Sequence, residues 1–216
     1  MSKVFIILFC VLVGSAHGAE IQLFKQYDYG MVYADFLSDS TYYDCSEDSG
    51  ETLLCKDGIS FLSNDFTAVL AFQEKQLWSV SLVSEFSNLL YQQAFVALLK
   101  KFQLSVLLSN SGQLDLIALK KTLANEAELT AKINAFESVA LNQGQLTYAF
   151  IDLNNTDHSH ATNIVELIHL LPDDAREIDL VVTSDEYQAW LTLKFSLPAQ
   201  LIRKSEQLIQ QKTEDF

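Results

Sequence analysis

Proline and glycine are scarce in this chain, which has two prolines and seven glycines among 216 residues. No stretch is enriched in either residue, and no long block of one charge sign occurs. Composition therefore marks no linker and no boundary between domains. Apolar residues make up 49% of the chain, with 14 phenylalanines among them. Length and apolar content together predict a substantial core, in one compact domain or two small ones.

Basic residues are also few: 14 lysines and arginines face 28 aspartates and glutamates, for a formal net charge of −14. A surface of this charge repels phosphate backbones, so we expect no nucleic-acid partner. It also argues against adhesion to anionic lipid through a basic patch. The plain interpretation of the acidity is solubility outside the cytoplasm, and the alternative is a basic protein partner. No motif predicts a cofactor.

The apolar run at the N-terminus is about half as long as the ~20 residues that a membrane-spanning helix needs. This run, Val4–Gly14, follows Lys3 and precedes Ala16-His17-Gly18. A positive residue, an apolar run and small residues near a cleavage point are the parts of a secretory signal peptide. We predict a signal peptide over residues 1–18, cleaved after Gly18 or, as second choice, after Ala19. The alternative is a buried N-terminal strand.

Cys10 lies inside this apolar run and follows the bulky residues Ile7-Leu8-Phe9. A lipoprotein signal has small residues just before its cysteine, so we predict a soluble exported protein without a lipid anchor. Stable membrane insertion is not expected. The predicted location is the periplasm in a Gram-negative host and the extracellular space in any other host.

Signal removal would leave two cysteines, Cys45 and Cys55, in the acidic segment DCSEDSGETLLCKDG. A close pair in an oxidising compartment usually forms a disulfide. The intervening serine, aspartate and glycine residues favour a turn that brings the ends together. Zinc sites normally have four nitrogen or sulfur ligands, and redox pairs prefer C-x-x-C spacing. The sequence therefore predicts a Cys45–Cys55 disulfide.

Periodicity of apolar residues predicts an α+β fold of antiparallel hairpins, or a meander, packed against amphipathic helices. Strands alternate β-branched and aromatic residues, and helices carry apolar residues three and four positions apart. Residues 27–43 and 114–124 fit either a helix or a strand. The predicted elements are a hairpin turning at 73–76, helices over 88–102 and 126–142, a strand over 145–153, a short helix ended by Pro172, a hairpin around Asp185-Glu186 and a last helix opened by Pro198.

An internal echo suggests that the fold contains two similar hairpin-then-helix units. QLWSVSL at 76–82 and QAWLTLK at 188–194 both place a tryptophan in the second strand of a hairpin. The two units would cover residues 19–110, with the disulfide, and 111–216; one continuous domain is the alternative. We expect Trp78 and Trp190 to be core anchors.

A glycine-bearing aromatic opening, a cysteine loop, the meander FTAVLAFQEKQLWSVSLV and a following helix occupy residues 27–103. This order resembles small bacterial envelope proteins of the β-lactamase inhibitor protein fold and the small lipoprotein subunit of the outer-membrane barrel assembly machinery. The resemblance implies a helix-on-sheet fold that binds other proteins, and it carries over no catalytic residue. The chain departs from the lipoprotein pattern because it lacks a lipidation cysteine.

The segment DLNNTDHSH, residues 152–160, is the strongest candidate for chemistry. His158 and His160, with Asp157 or Asp152, could ligate a transition metal, and His169 could add a third imidazole. The alternative is a solvated loop, because asparagine and aspartate favour turns. Asn154 also begins a glycosylation sequon. Its use depends on the host.

Nucleophile and phosphate-loop motifs are absent from the sequence. The leading hypothesis is therefore a non-catalytic exported protein that binds another protein in the cell envelope. An inhibitor of an exported enzyme is the second hypothesis, with an exposed sheet face or the cysteine loop as its contact. A metal-dependent hydrolase built on His158 and His160 is the third.

Overall fold

The computed structural model describes residues 21–47, 49–154 and 156–214. It contains eleven strands and six helices in these residues. In chain order they are β1 Gln22–Phe24, β2 Tyr27–Asp28, α1 Tyr33–Phe36, β3 Tyr43–Asp44, β4 Thr52–Phe61, β5 Asn64–Gln73, β6 Gln76–Glu85, α2 Asn88–Leu99, β7 Gln103–Ser109, β8 Gly112–Asp115, α3 Leu116–Thr122, α4 Glu126–Asn142, β9 Gln145–Ile151, α5 Ile164–Leu170, β10 Glu177–Ser184, β11 Ala189–Ser196 and α6 Pro198–Glu214.

Nine of the strands form one sheet in the order β3-β4-β5-β6-β11-β10-β9-β7-β8, and β1 pairs with β2 separately. All neighbours in the large sheet are antiparallel. The α+β class is therefore confirmed. Both predicted units contribute strands to this sheet, and position 110 lies in the turn between β7 and β8.

Each of the two predicted hairpins is present and is followed by a helix. β5 and β6 precede α2, while β10 and β11 precede α6. The second strands of the two hairpins, β6 and β11, pair with each other at the centre of the sheet. Glu74 and Lys75 close the first hairpin with positive φ angles of 52° and 64°, as a two-residue turn of the I′ type requires.

One face of the sheet, called here the inner face, carries the main core. Every second side chain along each strand points to this face. Leu70, Val80, Leu193 and Leu180 lie there and are fully or almost fully buried. Helices α2 and α4 cover them through the buried residues Leu90, Ala94, Leu98, Leu129 and Ala140, and β1 and β2 add Leu23, Phe24 and Tyr27.

The opposite face, called here the outer face, is covered at one side only. Val106, Ala149 and Ile151 on β7 and β9 form a second, smaller core there. Helices α3 and α5 and the first turn of α6 contribute to it through Ile117, Ile164, Leu167 and Ala199. Most side chains on the rest of the outer face, on β5, β6, β10 and β11, are half-buried or exposed.

Side-chain caps fix where the helices begin. Ser87 accepts from the backbone N–H of Leu90 at α2, and Asn125 accepts from that of Glu128 at α4. Helix α4 matches its predicted bounds, while α2 ends three residues before the predicted residue 102. The ambiguous segment 114–124 is a strand end followed by α3, because Asp115 leaves β8 and caps that helix.

Asp115 also joins two parts of the fold. One carboxylate oxygen accepts from the N–H groups of Ile117 and Ala118, at 2.9 and 3.0 Å. The other accepts from the N–H of Ile164 at 2.8 Å, at the start of α5. A single carboxylate therefore binds the positive ends of two helices. Within the described residues, no helix is both long and apolar enough to cross a membrane.

Candidate functional site

The candidate site is the uncovered part of the outer face, called here the open face. Strand register places Thr67, Val83, Thr192 and Val181 side by side in one row across β5, β6, β11 and β10. All four are half-buried. Residues one position along, on the inner face, are at most 1% exposed: Ala68, Leu82, Leu193 and Leu180. Small β-branched side chains give the open face a flat, weakly polar surface.

Trp190 lies beside this row and is 37% exposed. It pairs with Glu85 on β6 and with Thr183 on β10. The prediction that Trp190 is a core anchor is therefore wrong: alternation along β11 places it on the face that the helices leave uncovered. Trp78 is half-buried. The β10–β11 turn adds Tyr187, which is 87% exposed.

Three carboxylates line the same depression as this tryptophan. A shallow depression of about 370 Å³ is lined by Trp190, Thr67, Val83 and the acids Asp57, Asp65 and Glu85. Asp57 accepts hydrogen bonds from the Thr67 hydroxyl at 2.7 Å and from the Tyr43 hydroxyl at 3.0 Å. The open face thus combines a large aromatic side chain, apolar β-branched residues and an acidic rim.

Two carboxyls lie further along the outer face, and their ionisation is disfavoured. Glu177 and Asp179 are two positions apart on β10, and Asp179 pairs with Lys194 on β11. Burial raises the pKa of Glu177 to about 8, with the charge of Asp179 as a second cause. Burial also raises the pKa of Asp179 to about 6, against a lowering contribution from Lys194.

The hydrogen bonds around this pair are incomplete. Asp179 Oδ1 is shielded from solvent and has no hydrogen-bond partner among the described residues. Lys194 Nζ lies 5.1 Å from the centroid of the Trp78 ring, and the ion pairs found in the described part of the chain include neither carboxyl. The sequence alone does not indicate this pair, because alternation shows which residues share a face of a strand but not which strand lies beside it.

The predicted disulfide is present. Cys45 and Cys55 are bonded with a Cα–Cα distance of 5.9 Å. Cys55 lies inside β4 rather than at the end of a loop, and it pairs with Tyr43 on the edge strand β3. The bond therefore attaches the short edge strand and the acidic segment to the long strand β4.

Within the described residues, the side chains of the histidine segment do not form the three-ligand cluster that the metal hypothesis requires. His158 Nδ1 lies 3.0 Å from the backbone oxygen of Thr156, and Asp157 accepts from the hydroxyl and the N–H of Ser159. Those bonds lower the pKa of Asp157. In residues 21–47, 49–154 and 156–214, no three histidine, cysteine or acidic side chains are close enough to hold a metal ion. His160 and His169 are exposed.

Of the remaining predicted residues, Asn154 is described by the structure and the signal-peptide residues are not. Asn154 lies at a turn and donates from its amide to Asp152 Oδ1 at 2.7 Å. The signal peptide over 1–18, and with it Gly18 and Ala19, lies outside the described residues.

A second polar cluster that sequence analysis missed lies under α2 and α4. The Tyr91 hydroxyl donates to the Tyr148 hydroxyl at 3.0 Å, and Tyr148 donates to Glu137 Oε1 at 2.9 Å. Burial raises the pKa of Tyr148 well above its ordinary value. Both tyrosine rings also pack against Phe95, Tyr91 at a tilt and Tyr148 edge-on. The chain of hydrogen bonds satisfies two hydroxyls that the helices shield from solvent.

Comparison with known proteins gives no relative. No protein-family model, curated protein or solved structure matches this chain. The resemblance to small envelope proteins stays a prediction.

Proposed function

We propose that this chain is an exported, non-catalytic protein whose open face binds a basic segment of another protein. The observation that carries the proposal is Trp190, which is 37% exposed and lines a depression that has three acids in its lining. Tryptophan is among the side chains that are enriched at the energetic centres of protein interfaces. A flat row of β-branched residues around such an anchor suits contact with a protein better than enclosure of a small molecule.

Charge determines the kind of partner. Asp57, Asp65 and Glu85 line the depression without a lysine or arginine among its lining residues. The whole chain carries a formal net charge of −14. A lysine- or arginine-bearing segment would gain from this field both in association rate and in orientation. The predicted signal peptide and the Cys45–Cys55 disulfide support a site of action outside the cytoplasm.

Inhibition of an exported enzyme is the second form of the same proposal, with the enzyme as the partner.

The repeated order of hairpin and helix supports an origin by duplication, in which β6 and β11 are equivalent strands. The resemblance to small envelope proteins supports a binding role in the same way.

The test replaces side chains on the open face and measures capture of a partner. A photo-reactive amino acid at position 190 identifies the proteins that the open face touches in an envelope extract. The affinity of the identified partner is then measured for the wild type and for Trp190→Ala. We expect a loss of about 2 kcal/mol, or about thirtyfold.

A matched pair of substitutions separates the site from general surface effects. Val83→Lys places a cation in the open row, whereas Val96→Lys makes the same change on α2, where Val96 is 52% exposed. Only Val83→Lys should weaken capture. Equal capture by both variants, or failure to cross-link any protein reproducibly, would refute the proposal.

A further inference from the structure

The inner face contains an apolar cavity of about 440 Å³. Its floor is formed by Ile178 on β10 and by Leu193 and Phe195 on β11. Helix α2 provides one wall, while the β1–β2 segment and the β4–β5 turn provide the other. This volume falls within the range that small-molecule sites usually occupy, roughly 300–1,000 Å³.

The cavity exists because small side chains face it. Ala94 and Ala97 on α2 present only methyl groups to the space, next to Leu98. The bulky side chains of Phe61, at the end of β4, and Leu62, in the β4–β5 turn, belong to another wall. A larger residue at 97 would occupy the space, and Ala97 is only half-buried, so the helix can accept one.

The charged residues that line this cavity are all basic, although the chain as a whole is acidic. Acidic residues outnumber basic ones two to one, yet the lining contains Lys25, Lys101 and Arg176 and no aspartate or glutamate. Lys101 is exposed and forms no ion pair within the described residues. Apolar walls with cations at the rim match a ligand that has an apolar body and an anionic head.

Two of the cations are held in place by the cavity walls. Lys25 Nζ donates to the backbone oxygen of Ser60 at 2.6 Å and lies 5.2 Å from the Phe24 ring centroid. The Arg176 guanidinium lies 5.5 Å from the Phe102 ring centroid, and its ion pair with Asp152 is long, at 3.7 Å. Both groups therefore keep donors for an anion, since an ammonium has three and a guanidinium five.

We propose that this cavity binds an amphipathic anion, with an acyl or similar apolar chain between α2 and the sheet and a carboxylate-type head at Lys25, Lys101 and Arg176. Burial of the chain supplies most of the affinity. The cations select a charged head over a neutral one. The cavity is on the face opposite to the open face, so this proposal and the proposed protein contact are independent.

Calorimetric titration with laurate below its micelle concentration tests the proposal, and dodecanol is the neutral probe with the same chain. Laurate should bind saturably with one site and about tenfold more tightly than dodecanol. Added salt should weaken laurate alone, because it screens charge and leaves apolar burial intact.

Three variants assign the binding to the cavity. Ala97→Phe fills the space, so it should abolish binding of both probes. The double variant Lys25→Gln, Lys101→Gln should weaken laurate about tenfold and leave dodecanol unchanged. Lys132→Gln, an exposed lysine on α4, should change neither. Circular dichroism and melting curves establish that each variant is folded.

Several results would overturn the proposal. These are no saturable laurate binding, equal affinity for dodecanol, or unchanged binding by Ala97→Phe. A crystal structure with laurate gives the direct answer. Electron density for laurate in the cavity supports it, and density there for a segment of this chain or of a second copy contradicts it.

Discussion

Replacing Glu177 by glutamine should stabilise the protein, and the gain should grow with pH. Burial raises the pKa of Glu177 from 4.5 to about 8, so the folded chain keeps a proton that the unfolded chain releases above its ordinary pKa. Because the native state then binds more protons than the unfolded state, unfolding becomes easier as pH rises between these two values. Glutamine is neutral at every pH and has nearly the same shape.

The magnitude follows from the interval of pH over which the two states differ. At 1.36 kcal/mol per pH unit, the interval from 4.5 to 7 corresponds to about 3 kcal/mol, and that from 4.5 to 5 to less than about 1 kcal/mol. Glu177→Gln should therefore raise the free energy of unfolding by up to about 3 kcal/mol at pH 7 and by little at pH 5. Local hydration would make the gain smaller but would not change its sign.

Urea unfolding at pH 5, 6, 7 and 8 measures the effect. All four pH values are above the isoelectric point of the chain, which is near 4.5. Glu85→Gln is the matched control, because Glu85 is an exposed carboxyl at the other end of the same face. It should stay within about 0.5 kcal/mol at every pH. An equal gain for Glu177→Gln at pH 5 and pH 7 would show that the amide improves packing and that proton linkage is not the cause. A loss of stability at pH 7 would refute the burial argument.

Three further outcomes are expected. Reduction of Cys45–Cys55 should lower the free energy of unfolding by about 3 kcal/mol from chain entropy while a cooperative urea transition persists; loss of that transition would show that the bond holds the fold. Gly144→Ala should destabilise by about 2 kcal/mol or more, since its φ is +83° and a Cβ would lie 2.7 Å from the Ser184 oxygen. Gly58→Ala has a similar φ of +73° and free space, so in chemical denaturation it should cost less; equal costs would remove the clash as the cause. By elemental analysis the purified chain should hold less than one equivalent of zinc, nickel or copper, and a full equivalent lost in His158→Ala, His160→Ala would support the hydrolase hypothesis instead.

Local patterns were enough to predict most helices and hairpins. Helix α4 follows its apolar spacing at both ends, and the β10–β11 hairpin turns at Asp185-Glu186 as predicted. Strand β7 was not predicted, because a short apolar run directly after a helix has no periodicity of its own. Strand β4 begins within the segment that the cysteines and turn residues marked as a loop.

The candidate sites depend on pairing between distant strands, which local patterns do not contain. Alternation puts Trp190 on one face of β11, but only the position of the helices determines that this face is open. Asp179 meets Lys194 through register. The cavity needs Lys25, Lys101 and Arg176 from three separate segments. Spacing in the sequence suggested His158 and His160 as metal ligands. Within the described residues, the fold gives them no third ligand.

The pairing of β6 with β11 has a consequence for how the chain folds. These central strands come from opposite halves of the sequence, so the sheet cannot be completed until β11 has been synthesised. Until then the first hairpin presents β6 as an unpaired edge with apolar side chains, a surface that other chains can join. Contacts so distant in sequence also slow folding. We expect refolding yield to fall as protein concentration rises, and a separately added β10–β11 peptide to compete for the edge of β6.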